Sequence, residues 1–183
     1  MRLVIILLLF YTVSLFAQSE ILTYEKTGKK ILVGVCNEND FISNPLFSKW
    51  FNTGYNNYRP QFFNYKFDKE KLKNHKIKIV MGTWCPDSRR EFPRFMKILD
   101  SLNFPKSNLT IICVDRNKHS LHGEAEGLRI VYVPTFIFYN AEGKEIGRIT
   151  EHPKGDSLED DLERIILADK PIEYNLKEKK DNK

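Results

Sequence analysis

Residues 77–90 read Ile77-Lys78-Ile79-Val80-Met81-Gly82-Thr83-Trp84-Cys85-Pro86-Asp87-Ser88-Arg89-Arg90. The stretch opens as an apolar run of strand length, and from Ser88 the apolar positions recur at helical spacing. Cys85 stands at the changeover. A strand that turns into a helix aims free backbone N–H groups and the positive end of the helix dipole at that position, a setting that favours thiolate over thiol. Arg89 and Arg90 add positive charge within one turn, and Asp87 opposes it. A lone cysteine can equally be a small buried core side chain. Trp-Cys-Pro at a strand end points instead to a reactive thiol.

Downstream, periodicity predicts a helix at 88–102, a strand at 109–114, a helix at 121–128, a strand at 135–139, a turn at 140–143, a strand at 145–150 and a closing helix at 157–168. A short helix at 68–74 precedes the first strand. Two strands joined by a helix imply a parallel, right-handed crossover, whereas the short turn before Glu145 implies antiparallel pairing. The fold class is therefore α/β, a mixed central sheet with helices on both faces. Upstream, 30–36 reads as a strand and 41–58 as helical, with Phe41, Leu46, Trp50, Phe51 and Tyr55 on one aromatic face. That face is read as core packing, so residues 18–66 form an N-terminal aromatic helical extension on the core that shapes access to Cys85.

The chain resembles the thioredoxin superfamily, whose site is Trp-Cys-x-x-Cys at the start of a helix. Trp84, Cys85 and Pro86 match position by position. Pro93, eight positions after Cys85, is similar to the proline that kinks the family's active-site helix. Val133-Pro134-Thr135 before a strand resembles the cis-proline loop, which lies against the reactive cysteine and pairs with the backbone of a bound polypeptide. Gly143 and Gly147 fall as they would in that fold. Two positions depart. Ser88 replaces the second cysteine, and a hydroxyl cannot attack a mixed disulfide near neutral pH. Ile79 stands where many thioredoxins carry a buried aspartate that moves protons.

The resemblance implies a thiol–disulfide oxidoreductase or isomerase of monothiol type acting on polypeptide thiols and disulfides. Trp84, Cys85, Pro86 and Ser88 make up its catalytic stretch, Val133, Pro134 and Thr135 bind substrate, and a small thiol or protein reductant completes turnover. The alternative is a redox-inactive binding module of the cell envelope. Three cysteines permit three pairings. Cys113 lies in an apolar run and reads as core; Cys36 borders Asn37-Glu38-Asn39-Asp40 and is the candidate resolving thiol.

At 183 residues and 42% hydrophobic the chain supports one core with extensions. Its 29 basic and 24 acidic residues are interspersed without a basic stripe, which argues against nucleic-acid binding. His75, His119, His122 and His152 show no spacing that suggests a metal site, and no motif calls for a cofactor. Acidic residues at 124, 126, 159–161 and 163 read as exposed helix faces. Met1-Arg2, the apolar run at 3–16 and Ala17-Gln18-Ser19 read as a signal peptide, residues 1–17. The expected destination is extracytoplasmic, periplasmic or secreted, with membrane attachment only if that segment stays uncleaved. The domain boundaries that follow are 18–66, 67–169 and a charged, disordered tail at 170–183.

Overall fold

The computed structural model describes residues 19–24, 28–62 and 68–174; the signal-peptide segment and the end of the tail, 175–183, lie outside them. The elements are β1 (Ser19–Tyr24), β2 (Lys29–Cys36), α1 (Asn39–Ile42), α2 (Ser48–Asn57), α3 (Lys69–Lys73), β3 (Lys76–Met81), α4 (Pro86–Ser101), β4 (Leu109–Cys113), β5 (Thr135–Tyr139), β6 (Glu145–Thr150) and α5 (Leu158–Ala168). Six strands form one sheet in the order β1-β2-β4-β3-β5-β6. The β3–β4 pair is parallel, Ile77 opposite Leu109 through Met81 opposite Cys113, and β5–β6 is an antiparallel hairpin. Gly143, at φ 75, supplies the left-handed turn residue, and Asn140 accepts the Lys144 N–H at 2.9 Å.

The extension differs from a helical cap. Its hairpin β1–β2 joins the sheet, with β2 antiparallel to β4. Residues 41–58 make two helices, because Pro45 lacks an N–H and disfavours helical geometry at Asn44. Most of the aromatic face is core: Phe41 and Phe51 are fully buried, with ring centroids 4.7 and 5.5 Å from Phe92 of α4, and Trp50 and Tyr55 pack partly buried against them, whereas Leu46, expected on the same face, is 45% exposed. Gly54 allows α2 to approach α4, since a Cβ there would lie 2.6 Å from Cγ of Pro93. Gly54→Ala gains about 1 kcal/mol of helix propensity but overpacks a rigid ring at a cost of about 1–3 kcal/mol. The expected result is a net loss of stability in urea unfolding; a gain would mean the helices separate freely.

Alternation along the strands divides the core between two faces. Ile77, Ile79, Met81, Ile111 and Cys113 join the side chains of α2, α4 and α5. Val80, Ile112 and Ile137 face the other way, onto Val114, Ala125 and Val133. The expected helix at 121–128 is absent: Gly123 and Gly127 take φ of 84 and 75, outside the helical region, and the segment runs as turns. This second face is thus covered by an irregular connection instead of the helix expected there. Among the described residues, no helix is long and apolar enough to cross a membrane.

Glu159 and Asp161 are not on an exposed face: each is 1% exposed. The Asp161 carboxylate accepts the Lys154 and Gly155 N–H groups and caps the turn into α5. Glu159 accepts the Tyr58 hydroxyl at 2.8 Å and the Gln61 N–H at 3.1 Å, fastening the end of the extension to α5. Burial, then the Glu159 carboxylate, raise the Tyr58 phenol above its ordinary range, and burial, then Asp100, raise Tyr55. The native state therefore keeps protons that the unfolded chain releases from about pH 10. Stability present below that pH is lost as pH rises above it. Thermal melting should fall between about pH 9 and 11, and Tyr58→Phe should flatten the fall while costing about 1–2 kcal/mol near pH 7. An equally steep fall in Tyr58→Phe would remove Tyr58 from the account.

Candidate functional site

The site lies where β3 gives way to α4. The Cys85 N–H bonds back to the Gly82 carbonyl at 2.9 Å, closing a tight turn. Trp84 folds over Gly82 so closely that a Cβ there would lie 2.6 Å from the indole, which accounts for the glycine. The indole Nε1 donates to the Val114 carbonyl at 2.9 Å, and the Arg116 guanidinium lies 4.9 Å from the ring centroid. Thr83 is buried; its hydroxyl accepts the Leu32 N–H at 3.1 Å and so ties β2 to the active turn. Its carbonyl accepts Nε of Arg89 at 2.6 Å. Arg90 pairs with Asp87 at 2.8 Å and with the buried Glu91.

Cys85 occupies the N-cap of α4 with extended backbone, and Pro86 opens the helix, where its missing N–H costs nothing. Cys85 is buried, 7% exposed, and its thiol donates to the Val133 carbonyl at 3.1 Å. The Val133–Pro134 bond is cis, and Thr135 Oγ1 bonds the Tyr132 carbonyl at 2.8 Å. The chain thereby brings together Trp84, Cys85, Pro86, Val133, Pro134 and Thr135, although these come from opposite ends of the domain sequence. Ser88 is fully buried, and its hydroxyl accepts the Gly82 N–H at 3.2 Å. It acts here as a brace for the turn. Ile79 is fully buried among the apolar side chains of the helix-covered face.

Cys36 does not reach Cys85. It is 7% exposed and belongs with Cys113 to the helix-covered face, whereas Cys85 belongs to the other. Burial first, then the adjoining Cys36 side chain, push the Cys113 thiol well above its ordinary value. Sequence reasoning also missed Val131 and Tyr132, which are 65% and 54% exposed immediately before the Val133–Pro134 bond. An aromatic with no periodic partner, directly preceding Val-Pro, is the signal that would have found them. It missed Thr83 and Arg116 as well, whose roles depend on strands distant in sequence.

No curated protein matches the sequence. Two solved structures align at low similarity. An HIV epitope-scaffold crystal structure is 14% identical over 67% of this chain and 73% of its own, with a TM-score of 0.39. A protein of unknown function from Pseudomonas aeruginosa is 15% identical over 66% and 69%, with a TM-score of 0.38. The thioredoxin family model matches residues 58–157, more than half of the 183. That span carries Trp84, Cys85, Pro86, Pro93 and the Val133–Pro134 loop, and the chain belongs to the thioredoxin superfamily.

Proposed function

We propose that the protein is an exported thiol–disulfide oxidoreductase or isomerase of monothiol type, working on the cysteines of other polypeptides through Cys85. The observation that carries this reading is the Cys85 thiol at a helix N-cap, 3.1 Å from the Val133 carbonyl and beside the exposed Val131 and Tyr132. The Cys85 thiolate attacks one sulfur of a client disulfide, the client S–S bond breaks, and the departing client thiolate takes up a proton. If a different thiol of the same client attacks the client sulfur of the mixed disulfide, the Cys85 thiolate leaves and is regenerated, and the client is isomerised. If a small thiol or protein reductant attacks instead, the client is reduced and the reductant oxidised. Val131 and Tyr132 supply an apolar, aromatic surface for the client chain, and Trp84 walls the thiol. Export is favoured by the charged start, apolar run and small residue of 1–17.

A second reading is favoured by Ser88 and Ile79. With the Ser88 hydroxyl bonded to Gly82 and no proton acceptor at 79, the fold would serve as a redox-silent peptide-binding module of the cell envelope. Trapping separates the two. A disulfide-containing peptide mixed with the protein and quenched in acid should give a mixed disulfide on Cys85. Noncovalent binding alone, unchanged in Cys85→Ala, would favour the module.

A further inference from the structure

Cys36 and Cys113 sit on adjacent antiparallel strands, remote from Cys85. In the β2–β4 register Gly34 lies opposite Cys113 and Cys36 opposite Ile111, so the two cysteines are diagonal neighbours on one face of the sheet. Gly34 leaves the position opposite Cys113 without a side chain, and the Cys36 thiol donates to the Gly34 carbonyl at 3.4 Å. Both cysteine side chains belong to the same buried cluster on the helix-covered face. Diagonal neighbours on a regular ladder are about 7–8 Å apart, just beyond the roughly 4.4–6.8 Å between α-carbons that a disulfide spans. Gly34, with φ 107, gives β2 an irregular backbone at the point where the strands would draw together.

We propose that Cys36 and Cys113 are a second redox site, oxidised by small disulfides to an intramolecular disulfide that staples the β1–β2 hairpin to the sheet independently of Cys85. Access runs through Cys36. Cys113 is fully buried, but Cys36 lines a cavity of about 180 Å³ with Met96, Lys106, Leu109 and Ile111, and the exposed Asn37 stands at its rim. The Cys36 thiol gives its proton to solvent and attacks one sulfur of glutathione disulfide. That S–S bond breaks, and the glutathione thiolate released is protonated. The Cys113 thiol then loses its proton, attacks the Cys36 sulfur and expels the second glutathione. Two cysteine thiols are oxidised and one disulfide is reduced to two thiols.

The test is incubation of the full chain with glutathione disulfide, iodoacetamide quenching, tryptic digestion and mass spectrometry. Cys36, Cys85 and Cys113 fall in separate tryptic peptides, 31–49, 79–89 and 107–116. The expected product links peptides 31–49 and 107–116, forms equally in Cys85→Ser, and is absent in Cys36→Ser. It should also melt about 10 °C higher than the reduced protein. A persistent glutathione adduct on Cys36, a link from either peptide to that of Cys85, or three unmodified thiols would each overturn the proposal.

Discussion

Cys85→Ser should reduce the rate at which the protein exchanges client disulfides to that of the protein-free reaction, while Cys36→Ser and Cys113→Ser retain most of it. Serine keeps a hydroxyl that can donate to the Val133 carbonyl as the thiol does, so the turn at 82–85 keeps its geometry. What is lost is the nucleophile, because a serine hydroxyl does not ionise near neutral pH and an alkoxide is no substitute for a thiolate in S–S exchange. The substitution should cost no more than about 1 kcal/mol of stability, since the Cys85 side chain makes one hydrogen bond. Reduction of a disulfide-bearing peptide by excess dithiothreitol, with and without the protein, is the measurement. Undiminished catalysis by Cys85→Ser would remove this thiol from the chemistry. Absence of catalysis by the wild type would leave the binding-module reading.

What the sequence disclosed follows the range of the forces involved. The strand at 76–81, the helix behind Cys85 and the 135–150 hairpin are specified by local periodicity and turn chemistry, and these place the thiol. The family resemblance added the Val133–Pro134 loop. Failures came where a distant partner, or backbone freedom, decides. Leu121, Ala125 and Leu128 have helical spacing, but the two glycines between them, Gly123 and Gly127, adopt positive φ. The strand β1 was missed because Ile21 and Leu22 are both exposed at the sheet edge, so neither face carries an apolar pattern. Glu159 looks like any acidic residue in a first helical turn; its burial depends on Tyr58, 101 residues earlier. Cys36 looked solvent-reachable from the polar run after it, yet strand register, invisible to a local reading, turns it toward Cys113.

Phe92→Ala should be the most damaging substitution in the core, at about 3–5 kcal/mol, or a factor of a hundred or more in the folding equilibrium. Phe92 is fully buried and touches two aromatics of the extension, Phe41 at 4.7 Å and Phe51 at 5.5 Å between centroids. Its removal opens a cavity between α4 and the segment 39–57, which two helices already in close contact at Pro93 and Gly54 cannot easily close. The same contact predicts how the chain unfolds. Strands β1 and β2 belong to the central sheet and α2 packs on α4, so the extension and the thioredoxin-like core should melt as one cooperative unit. The chain has two tryptophans, Trp50 in α2 and Trp84 beside Cys85. Variants that retain one or the other report separately on the two regions in urea. Coincident midpoints, both shifted down by Phe92→Ala, are expected. An earlier transition at Trp50 with Trp84 unmoved would make the extension a separate unit, and Phe92 the seam between two structures instead of the centre of one.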